Sequence, residues 1–418
     1  MQVRKLQNCA TLVALVVAAA GAACGGTAGE GDETVVQTTE AVTVGGFLPG
    51  LTSAQQTLFT NGAAAFEVIE GISDGLGPLF NEKSCGTCHA IGAEGGSGVQ
   101  FEVRGGILSG TSFNDLANEG GQLFQLHDVT GMVTINGKTC SLPGMGNGEP
   151  VPANANVSAK RRTTALFGLG LVDATPDSTF VALAASEPAA TRGTVNMIAN
   201  LDKGGATTMG KFGWKAQVPT LHQFAGDAYL HEEGITNPQF PTNDPPFGNT
   251  ALVAPCNGFT GTGLEDNGAD ITNFTNFMQL LAPPKPSTPN AQTTAGQAVF
   301  TRIGCGNCHT PSITSGSNAV AALSNQTYHP YSDFLVHDMG TLGDKIGNNG
   351  LTTPTQMRTA PLWGLVNSNQ SNLLHDGRAH SLASAIQQHA GQGAAAAAAF
   401  NALNSTDSNN LLAFLNSI

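Results

Sequence analysis

Two stretches of this sequence combine residue types and spacing that commit them to one chemistry: Cys85-Gly-Thr-Cys-His89 and Cys305-Gly-Asn-Cys-His309. In C-x-x-C-H the two thiols can add to the vinyl groups of a porphyrin, and the adjacent imidazole then reaches the iron as an axial ligand. A structural zinc site would need four ligands, and a thioredoxin-like dithiol has no use for the added histidine. The pair therefore predicts two covalently bound haem c groups held by Cys85, Cys88, Cys305 and Cys308, with His89 and His309 as proximal iron ligands.

What such a chain does is decided on the other face of each iron, because an open position binds peroxide or oxygen whereas a filled one favours electron transfer. Of ten histidines, eight are not proximal: His127, His222, His231, His329, His337, His375, His380 and His389. Met339, in His337-Asp-Met-Gly340, is a candidate thioether ligand, and loop methionines also serve as packing.

The elements that must position these groups come in two sets. A helix is predicted before each motif, over residues 53–70 and 294–303, where apolar residues such as Leu58, Phe59, Phe66 and Ile69 recur at helical spacing. Prolines 283, 284, 286 and 289 form a joint between the halves. Arg162-Thr-Thr-Ala-Leu-Phe-Gly-Leu169 repeats as Arg358-Thr-Ala-Pro-Leu-Trp-Gly-Leu365, and Phe212-Gly-Trp-Lys-Ala216 more weakly as His375-Asp-Gly-Arg-Ala379, so a duplicated module is expected. Closing helices are predicted over 381–404, which is Ala-rich, and 408–418. Strands are sparse, with small hairpins suggested at 100–104 and 132–135.

Residues 1–24 read as an export signal: Arg4 and Lys5, an apolar run too short to span a bilayer, and small residues before Cys24. Cys24 looks like a bacterial lipoprotein cysteine, with simple cleavage the other possibility. Residues 25–48 form a Gly/Thr/Glu-rich tether, and the remaining chain exceeds one comfortable core. Loss of Arg4 and Lys5 takes the formal charge from −13 to −15, which argues against nucleic acid and is compatible with a basic redox partner. Of eight cysteines, Cys9 leaves with the signal, and Cys140 and Cys256 are left to pair or remain free outside the cytoplasm.

Taken in order, residues 75–81 with Ser84 to His89, Arg162 to Leu171, Phe212 to Ala216, residues 234–237, Tyr331 to Gly340, Arg358 to Leu365 and Leu374 to Ala379 resemble the bacterial di-haem c-type oxidoreductases. These are related to di-haem cytochrome c peroxidases and to the di-haem enzymes of the methylamine-utilisation type. The resemblance implies a distal haem ligand fourteen positions after His375, at His389, where the peroxidases normally carry methionine. It implies a carboxylate above the reactive haem about twenty positions after Phe212, at Glu232 with Glu233 beside it. It puts the inter-haem tryptophan of the peroxidases at Phe212, so the chain departs there, with Trp214 and Trp363 nearby in sequence or repeat. Arg162 and Arg358 suit haem propionates, since guanidinium binds carboxylate in two-pronged fashion.

The expected fold is mainly α, with two cytochrome-c-like haem modules at 49–285 and 290–418, long loops and small β-hairpins. The expected function is an exported di-haem oxidoreductase, periplasmic or held at the outer membrane through a lipid anchor, that exchanges electrons with a redox protein and reduces hydrogen peroxide at the N-terminal haem. A non-catalytic electron-carrier lipoprotein and an oxidase of a thiol or protein partner are the alternatives. Every C-x-x-C here is followed by histidine, so no dithiol is left over for thiol chemistry.

Overall fold

The computed structural model describes residues 44–129, 132–135, 138–142, 148–256, 263–348, 352–368 and 370–418. The signal, Cys24 and the tether as far as residue 43 lie outside them. Helix outweighs strand, 35% against 16%, and the sheets are small. Among the described residues, no helix is long and apolar enough to cross a membrane.

Each half opens and closes on a helix, and in each the two helices meet at a glycine. Helix Ser53–Phe66, started by a Thr52/Gln55 capping box, packs on Ala269–Leu280. Helix Ala291–Arg302, started by Asn290 and Thr293, packs on Ser405–Leu415. A methyl on Gly62 would lie 2.4 Å from Asn273 O, and one on Gly296 would lie 2.0 Å from Asn410 O. No side chain fits at either crossing.

The 53–70 helix stops at Phe66 because its buried face, Phe59, Gly62 and Phe66, ends there. Val68 and Ile69 continue the spacing but face solvent. The Ala-rich helix expected over 381–404 is instead broken into Leu382–Gln387 and Ala394–Asn401. Gly391 takes φ +53 against the 338–340 loop, a backbone the alanine run cannot override. His389 sits at this break.

The repeat is visible in three dimensions. Arg162 ends strand Val157–Arg162 and Arg358 ends strand Gln356–Arg358. Six residues on, Gly168 (φ 71) and Gly364 (φ 73) each start a helical turn. A Cβ on Gly168 would strike Pro283 and Trp363, and one on Gly364 would strike Pro284, so the two copies close around the proline joint.

The strand expected at 100–104 belongs to a larger sheet, in which Phe101–Ser109 pairs antiparallel with Ser112–Asn114, Leu123–Phe124 and Val157–Arg162. Met132–Ile135 forms a hairpin with Lys138–Ser141. Cys140 and Cys256 are joined as a disulfide with their Cα atoms 4.7 Å apart. One core gathers Phe59, Phe66, Phe180, Phe274 and Phe277, and takes in Ile313, Leu323, Tyr328 and Phe334 from beyond the joint. The second gathers Phe300, Leu382, Phe400 and Phe414.

In an exposed helix, Gly to Ala adds about 1 kcal/mol of stability through propensity. At the crossing the sign reverses: Gly296→Ala should lower the unfolding free energy by roughly 1–3 kcal/mol through overpacking. Gln297→Ala, on the exposed face of the same turn, should change it by no more than about 0.5 kcal/mol. Denaturant melting of the two variants distinguishes a packed crossing from a loose one.

Candidate functional site

The C-terminal motif is set by the end of its helix. Gly304, in the left-handed region at φ 88, turns the chain into the Cys305–Asn307 turn, and His309 N donates to Cys305 O at 2.9 Å. The His309 ring is fixed by its Nδ1–H, which donates to Tyr331 O at 2.9 Å. Across from it, His389 donates Nδ1–H to Ala385 O, also at 2.9 Å. Both imidazoles thus keep Nε2 as the free acceptor, the arrangement that outer hydrogen bonds impose on metal-ligating histidine.

The two ring centroids are 6.4 Å apart. Two nitrogen-to-metal bonds of about 2 Å each plus the two ring radii span that gap. The rings border a cavity of about 350 Å³ lined mostly by apolar side chains, which also holds Cys305, Cys308, Met339, Arg162 and Arg358. Met339 is close, since its Cε and the His389 ring both lie against position 393, and the His389 ring lies tilted at 59° to the His309 ring.

Arg162 has a buried Nε with no partner among the described residues, while Nη1 donates to Asn372 O. A buried, unspent guanidinium donor on an apolar cavity calls for an anionic group. Arg358 is more committed: Nε donates to Gly213 O at 2.7 Å and Nη1 to Thr359 O at 3.1 Å, beside Asp333. With two thiols, opposed imidazoles, an apolar slot and a spare guanidinium donor, these residues fit a haem bearing propionates.

The N-terminal motif follows the same local plan. Cys85–Cys88 is one helical turn, His89 donates Nδ1–H to Gly96 O at 3.0 Å, and Phe66 packs 5.8 Å from the His89 ring. Its surroundings are acidic instead. Helix Leu221–Glu233, capped by Thr220 and ended by Gly234 at φ 72, brings Glu232 and Glu233 to the motif on its last turn. The carbonyls of these two residues accept from Asn81 N, Glu82 N and Gly77 N, which ties the helix end to the segment entering Cys85.

Cys85 Sγ donates to Glu233 Oε1 at 3.1 Å, and Asn81 Nδ2 donates to Glu232 Oε2 at 2.7 Å. Burial, with the negative Glu102 nearby, raises Glu232 to about 7. Burial raises Glu233, only 3% exposed, to about 8 against the Cys85 hydrogen bond. Two carboxyl groups poised near neutrality beside one motif can exchange protons with a reacting group.

Trp214 bridges the halves: its Nε1 donates to Arg162 O at 2.9 Å and its ring meets His375 edge-on at 6.2 Å, both on the cavity wall. Phe212 also lines this cavity, and the Trp363 ring packs tilted against Tyr328 at 5.9 Å. His337, one of the candidate histidines, is paired with Asp333, a partner its sequence neighbourhood left unmarked. The buried His337 meets Asp333 Oδ2 at 2.9 Å through Nε2 and Cys308 Sγ at 3.5 Å through Nδ1. Burial opposes its charge, but Asp333 and Cys308 push it up to about 10. The i,i+4 spacing of Asp and His was the available signal.

Over residues 153–418 the sequence matches the family described as "Di-haem oxidoreductase, putative peroxidase". Among curated proteins none matches significantly. Of solved structures, the hydrazine synthase of Kuenenia stuttgartiensis pressurised with xenon shares 12% identity over 70% of this chain and 77% of that one, with a TM-score of 0.28. A MauG-like protein associated with microbial copper homeostasis shares 14% over 58% and 88%, with a TM-score of 0.31. Likenesses this slight carry no weight for the fold. The family match spans well over half of the chain and implies haem cofactors, and the chain belongs to this di-haem oxidoreductase family.

Proposed function

We propose that this chain is an exported di-haem c-type cytochrome oxidoreductase in which electrons enter at the His309 haem and hydrogen peroxide is reduced at the His89 haem. The observation that carries the reading is the contrast between the two motifs: an imidazole stands near His309, whereas two carboxyl groups of raised pKa stand beside Cys85 and Cys88 of the other motif. When bound, the haems supply the redox chemistry. Peroxide takes two electrons and two protons to give two waters.

The residues of the chain then handle protons and position. Glu232, held by Asn81, accepts a proton from one peroxide oxygen and returns it to the departing one. Glu233 keeps a hydrogen bond to the Cys85 thiol only until that thiol becomes a thioether, which releases its carboxyl for the same proton pool. Arg162 would offer its unspent Nε to a haem propionate, and His389, with Nε2 left free, would serve as an iron ligand of the second haem. Trp214, hydrogen-bonded to Arg162 and packed on His375, lies between the two halves.

The repeated helix crossing supports two cytochrome-c-like modules, at 49–285 and 290–418, each bearing a covalently attached haem. The Cys140–Cys256 disulfide supports an oxidising compartment outside the cytoplasm. Lipidation at Cys24 would hold the protein at a membrane, and the net acidic chain suits a basic redox protein as electron donor.

Two measurements test the division of labour. His389→Ala should convert one low-spin haem to high-spin and shift its potential, and an unchanged absorption spectrum would return Met339 to the ligand position. Because Glu232 acts as a base and its pKa is raised to about 7 by burial, the peroxide rate should climb as pH rises towards about 7 and level off above it. Glu232→Gln should abolish that rise and slow the reaction on the order of a hundred-fold while leaving both haem spectra intact. Stopped-flow rates that ignore both pH and the substitution, with Glu233→Gln equally silent, would favour the carrier reading.

A further inference from the structure

Lys215 is 1% exposed and has no part in the reading above. Its Nζ donates to the backbone oxygens of Thr353, Pro354 and Gln356 at 3.2, 3.4 and 2.5 Å, and pairs with Asp344 Oδ1 at 2.9 Å. An ammonium has three protons to give, and four oxygens converge on it, one more than its protons. One carboxylate and three carbonyls closing on a point is the donor set that hard cations take.

The cage is rigid on both sides. Asp344 Oδ2 accepts from Arg161 Nε at 2.8 Å and Nη2 at 2.7 Å, and Asp344 Oδ1 also accepts from Ile346 N at 3.0 Å. On the lysine side, Asn196 Nδ2 donates to the carbonyls of Lys215 and Ala216, and Trp214 O accepts from Arg358 N at 2.8 Å. All four cage oxygens belong to residues 344–356, beyond the proline joint. Lys215 and Arg161 come from before it, so the ammonium is bound by the opposite half of the chain. Burial holds Lys215 down to about 8, with the negative Asp344 opposing the shift.

We propose that Lys215 is a tethered cation: its ammonium fills an oxygen cage at the junction of the two halves and fixes their register, in the place an exchangeable hard cation would otherwise take. The proposal does not depend on peroxide chemistry. It requires that the wild-type protein be indifferent to chelators, and that removing the stem and its charge open the cage to a free divalent ion.

The test is thermal melting and titration calorimetry of the haem-loaded protein, first in EGTA and then with calcium chloride. Lys215→Ala should melt several degrees below wild type in EGTA, bind one Ca²⁺ per chain, and recover most of the loss. Wild type should neither bind nor shift. Lys215→Met, which fills the space with an uncharged stem, should melt low and stay low, a distinction that loss of packing alone would not produce. A Lys215→Ala protein that ignores Ca²⁺, or a wild type or Lys215→Met protein that responds as strongly, overturns the proposal. Should Lys215→Ala not fold in EGTA, its folding yield with and without Ca²⁺ replaces the melt, and failure in both conditions also overturns it.

Discussion

A histidine binds a metal only through a nitrogen that carries no proton, so the protein must decide in advance which nitrogen that is. Here the decision is made three times in the same way. His89, His309 and His389 each give Nδ1–H to a backbone carbonyl, at 3.0, 2.9 and 2.9 Å. Burial pushes all three imidazoles towards the neutral form, with His89 and His309 held down to about 4. Each therefore presents Nε2, and much of the surrounding structure maintains those three carbonyls. Gly304 turns one motif towards its cavity, and the break around Gly391 stops the alanine run where His389 is needed.

The rest of the architecture is a duplication adjusted unequally. Both halves use a capped helix, a glycine crossing, a strand ending in arginine and a left-handed glycine against the proline joint. The copies differ in what stands near the motif: a second imidazole in one, carboxyl groups at a helix end in the other. A helix C-terminus disfavours negative charge, so the position of Glu232 and Glu233 adds to burial in keeping them protonatable near neutrality. The cross-joint contacts are polar and buried, with Lys215, Asp344 and Arg161 at their centre.

How much of this could be read from the sequence depends on the physical cause of each feature. The two motifs stand out in the sequence because C-x-x-C-H is a set spacing of Cys, Cys and His, the one that covalent haem attachment would demand. The repeat was legible because arginine and glycine recur at matching offsets. His389, Glu232 and Glu233 were reached only through resemblance, by counting from Phe212 and His375, and the structure brings His389 opposite His309 and the glutamates beside Cys85 and Cys88. The Cys140–Cys256 pairing could not be decided without geometry. The Lys215 cage was invisible, since its hydrogen bonds join residues 138 to 141 positions apart. The closing helix reads as continuous because alanine propensity is a local signal, whereas the Gly391 turn against the 338–340 loop is a tertiary contact that overrides it.

The central claim is that one iron is closed by two imidazoles and the other is open for chemistry. Low-temperature electron paramagnetic resonance of the oxidised wild-type protein addresses it most directly, because each ferric haem reports its own spin state. The account predicts two signals of equal weight, one low-spin with two imidazole ligands and one high-spin. Two low-spin signals with no high-spin fraction would contradict it.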